Sequence, residues 1–428
     1  MRRTVSLAVF FFLAVLPLKA LTLTDATVSL VDIFSPFVDE NEGSTSFRSL
    51  LIPSGGRAES MGGAFTGLAD DISYINYNAS ASSLLSNSQA SVFHNSWIAD
   101  SNIETLSATT RLGNAGFGAA FSCFYVPFTE YDIFGTRASN GYYTESIACI
   151  NASYNFLSGY NFKGLALGIN LKSAFRGIPD YADDDTGEII TGSGFAQSAI
   201  AFMGDIGMMI RFNLAKFYAS REPNVRIGFS VQNLGAAITN FGNAICLDDP
   251  LPSSVTAGFS YNFIKPITIS VDFRQPFALS KDMGYQMFQV GAGIEAQITD
   301  FFAAMAGFQL KGANPRFSFG AEFEINKIRV NANYTLDLTS SLNPLNRIGI
   351  SAKFIMGDGG RAEKTQKIDE LYNLGVLYFS RGEYNDAIDV WEQVLELDKR
   401  FDPAILGIQS ANRMLEMFQK IRDSMFLK

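Results

Sequence analysis

Between Ser88 and Met356 the sequence alternates apolar and polar residues with a period of two, segment after segment. Phe317, Phe319, Ala321, Phe323 and Ile325 fall on one side of such a segment, and Arg316, Ser318, Gly320, Glu322 and Glu324 on the other. The pattern returns at Ile328, Val330, Ala332, Tyr334 and Leu336, and again at Ile348, Ile350, Ala352 and Phe354. Val225 to Gln232, Val255 to Phe263 and Ile267 to Phe273 repeat it. A two-residue period is that of a β-strand with one apolar and one polar face. About 14 such segments can be counted, most of them near the roughly 9–11 residues that a tilted membrane strand requires. Turn dipeptides such as Asn314-Pro315, Asn343-Pro344 and Asp249-Pro250 separate them.

Alternation alone also fits a soluble sandwich with its apolar face inward. Three features favour a membrane barrel. The strand number exceeds that of one simple sandwich. The polar face carries Arg316, Glu322, Glu324, Arg329 and Lys353, which suit a wet lumen. The N-terminus also reads as an export signal over residues 1–20, with Arg2 and Arg3 ahead of an apolar run from Val5 to Leu18 and the small Ala20. That run is too short to span a bilayer, and no other stretch reaches the length of a membrane helix. An exported, hydrophobic chain without a spanning helix is a secreted protein or an outer-membrane barrel.

Composition excludes other classes. A net charge of −9 argues against nucleic acid as a partner. One histidine and three separated cysteines leave no metal centre, no cofactor chemistry and no disulfide framework to expect. His94 has Ser96 on its own strand face and Ser91 on the other, and the sequence identifies no orienting partner, so no enzyme is expected. The stretches from Phe128 to Tyr143 and from Arg176 to Ala196 read as long surface loops, the second with Asp183, Asp184 and Asp185 as a solvated acidic run.

After Gly360 the composition shifts: 22 of the last 68 residues are charged, against 53 of the first 360. The period becomes helical. Residues 357–363 read as a linker and 364–428 as a separate helical domain. Its Leu374, Gly375, Tyr378, Gly382, Tyr384, Ala387, Trp391 and Leu397 fall at the spacing of a tetratricopeptide repeat, with Val394 and Lys399 as departures, and Asp402-Pro403 opens a further helix. One repeat rarely completes a core alone, so a protein partner for the tail is expected.

The most specific stretch precedes the strands. Arg57-Ala58, Met61-Gly62-Gly63-Ala64, Phe65, Ala69-Asp70-Asp71 and Asn78-Ala79-Ser80 follow one another in a small-residue, tightly turning segment. Asp70 and Asp71 are suited to cap the next turn or to pair with Arg57. In its order of motifs this block resembles the N-terminal hatch of the FadL-type long-chain fatty-acid transporters, in particular the spirochaetal branch. Ala79 stands where that family has proline. The resemblance implies a 14-stranded outer-membrane barrel over 88–356, with an N-terminal extension and hatch over 21–87 and the hatch and tail periplasmic. It implies passive uptake of long-chain fatty acids or other hydrophobic molecules, with the hatch moving and the cargo leaving sideways into membrane lipid. On that reading Arg57, Met61, Gly62, Gly63, Phe65, Asp70, Asp71 and Asn78 line the hatch and ligand path, with Arg57, Arg111 or Arg316 as headgroup candidates. Gly113, Gly116 and Gly118 are the candidate break in a strand that opens the wall. The alternative is a related barrel whose hatch stays shut and which anchors an envelope or secretion complex.

Overall fold

The computed structural model describes residues 33–52, 55–96, 100–131, 134–181, 183, 186, 188–218, 220–239, 250–279, 284–337 and 346–426. The expected export signal lies outside these residues. Fourteen antiparallel strands close into a barrel among the described residues. They are β1 (Ser88–Ser96), β2 (Asn102–Leu112), β3 (Ala115–Tyr131), β4 (Arg137–Phe156), β5 (Leu165–Gly177), β6 (Ala199–Phe212) and β7 (Val225–Ile238). The second half comprises β8 (Ser253–Ile264), β9 (Ile267–Phe277), β10 (Gln289–Thr299), β11 (Phe302–Lys311), β12 (Asn314–Ile325), β13 (Ile328–Asp337) and β14 (Asn346–Gly357). Each strand pairs with its sequence neighbours, and β1 closes on β14 from Ser88↔Gly357 to Ser96↔Ile348.

The faces decide between a barrel and a sandwich. On β2, Ser107 is 6 % exposed and its neighbour Leu106 is 61 % exposed. The inversion runs round the wall. Asn151, Asn170, Asn331, Asn333 and Thr335 are buried inside, whereas Phe121, Ile150, Leu171, Phe319 and Ile348 face outward. A soluble protein would not turn its large apolar side chains out on every strand. A bilayer supplies the apolar surroundings that they require, and closure gives every strand two paired neighbours.

The expected loop from Phe128 to Tyr143 is instead mostly strand. The β3–β4 hairpin stays paired through Phe128↔Gly141 to Tyr131↔Arg137. Phe128, Thr129, Tyr131, Tyr142 and Tyr143 are β-favouring residues, and the hairpin carries them past the rim. The stretch after Gly177 is a true connection, ending in a single helical turn, Ser193–Gln197. Within it Asp183 accepts the Thr186 N–H at 2.9 Å, and Asp184 and Asp185 lie outside the described residues.

The N-terminal segment fills the lumen. A 3₁₀ turn at Ser35–Phe37 and another at Arg48–Leu51 lie at the loop end of the barrel, where Asn41 donates to the Tyr285 carbonyl at 2.8 Å. The chain then descends through a short helix, α1 (Gly56–Ser60), and two 3₁₀ turns, Ile72–Asn76 and Ala79–Leu84, before entering β1. Met61, Phe65, Leu68, Tyr74 and Tyr77 form its core.

Beyond β14 three helices follow: α3 (Arg361–Arg381), α4 (Tyr384–Leu397) and α5 (Asp402–Phe426), the turn at Ser193–Gln197 being α2. Helix α3 begins inside the stretch expected as linker, because the Asp358 carboxylate accepts the N–H groups of Gly360 (3.1 Å) and Ala362 (2.6 Å). Gly382 ends the helix at φ +83°, its N–H bonded to the Phe379 carbonyl. Trp391 is clasped between Gly375 and Gly407, with Ala387 and Val394 buried beside it and Tyr378 packed at the margin. Leu374, expected in this packing, is instead exposed; Leu371 and Tyr372, one turn earlier, take the place. Among the described residues no preceding repeat covers Leu374.

The helices dock on the barrel's other end, opposite the loops. Arg361 donates to the carbonyls of Arg111 (2.9 Å) and Ser86 (2.6 Å), Tyr160 meets Phe401 edge-on at 4.9 Å, and Arg221 pairs with Asp369.

Candidate functional site

The hatch is fixed to the wall by charge. Arg57 reaches from α1 to Glu295 on β10 with two parallel bonds, Nε to Oε2 at 2.7 Å and Nη2 to Oε1 at 3.0 Å. Its third nitrogen pairs with Asp70 and, at 3.3 Å, with Asp71. Asp70 also takes Arg226 of β7 at 2.9 Å. Asp71 takes Lys353 of β14 at 2.5 Å, and Lys353 holds Glu322 of β12 at 3.1 Å. The other Asp71 oxygen caps the following turn, accepting the Ser73 N–H at 2.8 Å. Burial alone would raise the Asp71 carboxyl, but Lys353 and Arg57 outweigh it and hold it well below the ordinary carboxylate range. Asp70 is likewise buried and likewise held down, by Arg57 and Arg226. Burial works against the Arg57 charge, and its three carboxylates overcome this and raise its affinity for the proton.

Further contacts seat the rest of the segment. Glu59 is held by Arg347 (2.9 Å), Asn333 (3.0 Å) and Thr335 (2.9 Å). Asp272 of β9 accepts the backbone N–H groups of Phe65 (3.0 Å) and Thr66 (2.7 Å). The Asn78 side chain accepts the Ser80 N–H at 3.2 Å and donates to the carbonyls of Thr66 (3.0 Å) and Met208 (3.1 Å). This local turn forms with Ala79 in place of proline. Phe65 is fully buried, stacked under Arg57 at 5.6 Å and against Tyr77. Gly62 has φ +64°, and its backbone lies so close to Phe308 that a Cβ would fall under 3.0 Å from main-chain atoms.

Above the hatch, on the loop side, lies a cavity of about 510 Å³. Phe47, Leu51, Ile52 and Phe124 give it an apolar lining, and Arg48, Arg176, Lys311 and Arg316 bring positive charge beside the carboxylates of Glu42 and Glu145. Its cover is the 42–52 segment, held by a few bonds such as the Ser46 N–H (2.9 Å) and Oγ (3.3 Å) to the Pro250 carbonyl of the β7–β8 connection and the Ser49 N–H to Glu145 of β4 (3.1 Å). Phe47, Leu50 and Leu251 pack on Ala174, Ala201, Met203 and Ala237 of the inner wall.

The profile of the family described as UPF0164, an uncharacterised protein family, matches residues 23–359. The chain belongs to this family. Residues 368–401 match the tetratricopeptide repeat. Two UPF0164 proteins of Treponema pallidum (strain Nichols) are similar. One is 28 % identical over 395 residues, spanning 89 % of this chain and 86 % of the relative. The other is 25 % identical over 397 residues, spanning 91 % and 79 %. Among solved structures, the P. putida toluene transporter TodX is 13 % identical with a TM-score of 0.46, covering 71 % of this chain and 99 % of that one. The Acinetobacter baumannii outer membrane protein Omp33 is 9 % identical with a TM-score of 0.35, covering 63 % and 98 %.

Several expectations change in this UPF0164 barrel. Arg57 spends all three guanidinium nitrogens on carboxylates, which leaves it no role as a headgroup ligand. Arg111 sits at the opposite end, donating to the Gly113 and Leu85 carbonyls. Only Arg316 of the three headgroup candidates borders the cavity. The break expected at Gly113, Gly116 and Gly118 is absent. Gly113 forms the β2–β3 turn at φ +60°, and both ladders of β3 run in register through Gly116 and Gly118. Those two glycines face the lumen, where a Cβ would collide with the backbone at Ser82–Ser83 or with the Tyr74 hydroxyl. They admit the hatch; they do not open the wall.

A ladder ends early elsewhere. Asn233 of β7, at φ +57°, forms a bulge opposite Asp205, and pairing of β7 with β8 stops at Gln232↔Ser254. From Leu234 to Ile238, β7 pairs with β6 alone among the described residues. His94 has a partner that the sequence reading missed: its Nδ1 lies 2.7 Å from Glu104 of β2, on the outward face. No hydroxyl is bonded to it among the described contacts. Glu295, Asp272 and Arg226 were also missed, although each is a charge on the polar face of a strand, the signal that marked Lys353 and Glu322.

Proposed function

We propose that this outer-membrane-type barrel takes up long-chain fatty acids or similar hydrophobic molecules passively. On this reading the loops face the outside, and the hatch and helical tail face the periplasm. The observation that carries the reading is the 510 Å³ cavity, apolar with a cationic side, closed from the loop end by a lightly held segment and from below by the hatch. Capture begins when the 42–52 segment lifts, since it is bound by fewer and weaker contacts than the hatch. Crossing the charged hatch cluster would cost a lipid tail about 0.8 kcal/mol of lost burial per CH₂. A sideways exit avoids that cost, and the edge of β7 beyond Asn233 is its place, reached past Phe47. The tail docks a periplasmic protein through its repeat.

A second reading is a shut barrel that anchors an envelope complex. The density of ion pairs between hatch and wall favours it. Mass spectrometry of small molecules extracted from the barrel, purified from native membranes beside a mock preparation and an unrelated barrel, separates the two. Selective enrichment of fatty acids or another hydrophobic compound is expected for uptake. A lumen holding only background phospholipid would overturn uptake in favour of the anchor.

A further inference from the structure

We infer that the lumen carries a binding site for a phosphate monoester group at Arg274 and Lys311. The inference rests on the uptake reading and names its headgroup chemistry. Lys311 borders three separate cavities: the large one under the cover segment, a smaller one against the hatch at Glu59, Gly63 and Tyr77, and another between the 39–51 segment and the wall. Arg274 borders both smaller cavities, Arg316 the large one and one small one, and Arg48 the large one and the other small one. Positive side chains from three strands and the cover segment therefore converge on one place.

Their counter-charges are mostly committed elsewhere. Arg316 is matched by Asp337 at 2.8 Å. Asp39 is taken up by the N–H groups of Asn41 (3.0 Å) and Met287 (3.1 Å), and one Asp272 oxygen by the hatch amides, its other oxygen being buried without a hydrogen-bond partner. Glu42 is left to face both Lys311 and Arg48, each at 3.9 Å, beyond hydrogen-bond distance. Arg274 spends only Nε, on Thr256 Oγ1 at 3.2 Å. Among the described residues neither its two terminal nitrogens nor the Lys311 ammonium has a hydrogen-bond acceptor.

Donor arithmetic selects the ligand. The ammonium and the two terminal guanidinium nitrogens offer about seven N–H donors. A carboxylate accepts at about four lone-pair sites, so it would leave part of the set unmet. A phosphate monoester presents three terminal oxygens and about −1.5 to −2 charge, and meets both the donors and the surplus charge. Leu51 borders all three cavities, and Phe47 and Phe124 line the large one, so an alkyl chain attached to the phosphate has an apolar place beside it. Free phosphate and a phosphorylated amphiphile share this chemistry.

The test titrates dodecyl phosphate, dodecanoate and inorganic phosphate into the full chain in non-ionic detergent, with heats from protein-free micelles subtracted. Dodecyl phosphate is expected to bind at least tenfold more tightly than dodecanoate. The double variant Lys311→Gln, Arg274→Gln is expected to lose that preference while still binding dodecanoate, and Lys311→Arg to keep it. If the double variant does not fold, Lys311→Gln alone serves, with a reduced preference expected. Equal affinity for the two amphiphiles would overturn the phosphate site and leave the uptake reading standing. Binding of neither would overturn the uptake reading itself. Inorganic phosphate binding as tightly as dodecyl phosphate would keep the site and make free phosphate, not a lipid headgroup, its ligand.

Discussion

Arg57 of the hatch and Glu295 of β10, 238 residues apart in the chain, meet in a two-pronged ion pair with bonds of 2.7 and 3.0 Å. Both side chains are nearly inaccessible to solvent. A bidentate guanidinium–carboxylate pair fixes direction as well as distance, so it registers the hatch against one strand. Removing one partner strands the other charge in a buried site. Arg57→Ala is therefore expected to destabilise the seated hatch by about 3–5 kcal/mol. Conductance of single barrels in planar bilayers is the measurement, and open events absent from the parent barrel are expected. An unchanged conductance would show that the remaining contacts suffice to hold the hatch.

The same cluster sets a pH window. Asp70 and Asp71 are held below the ordinary carboxylate range in the folded protein. Their stabilisation is present above the unfolded value, about 3.9, and is lost only as pH falls through their lower folded values. The hatch is expected to remain seated between pH 7 and pH 4.5. Limited proteolysis across that range should give one unchanged pattern; new cleavage between residues 55 and 85 near pH 5 would contradict the charge assignment.

Gly116 and Gly118 make a separate prediction. If they admit the hatch, Gly116→Leu should displace the 82–83 segment and raise conductance, with the barrel still folded by heat-modifiable gel mobility. A variant with parental conductance would show that the segment can shift without unseating the hatch.

Trp391 carries the tail. It is clasped by two glycines, and its Nε1 donates to the Tyr372 carbonyl at 3.2 Å. Trp391→Ala is expected to cost about 3–5 kcal/mol, enough to unfold three helices with so small a core. Circular dichroism should show loss of helix with the strand signal intact. Retained helix would mean that the docked barrel end, through Tyr160 and Arg221, stabilises the tail more than its own core does.

How much of this was readable beforehand follows from the range over which each feature is encoded. The barrel was legible because the two-residue period is local and recurs on every strand. The pairing of Asp70 and Asp71 with Arg57, and the capping role of Asp71, were legible because these residues lie within 14 positions of one another in the same small-residue segment. Glu295 and Lys353 were not assigned to Arg57 and Asp71, since the contacts join residues more than two hundred positions apart and depend on the barrel register. Gly116 and Gly118 were misread for a related reason. A strand glycine signals either a broken ladder or a close neighbour, and only the path of the hatch tells which. The long β3–β4 hairpin was hidden by Pro127 and Gly141, which read as turn residues but sit within paired strands.

The segment that plugs this barrel runs directly into β1, and β1 is the strand that meets β14 at the seam. A plug tied so closely to the closing edge has little chain with which to enter afterwards. Its side chains and backbone already hold partners on β7, β9, β10, β13 and β14. The wall is therefore best regarded as wrapped around its contents, with the last strand locking in what the residues before the first had brought.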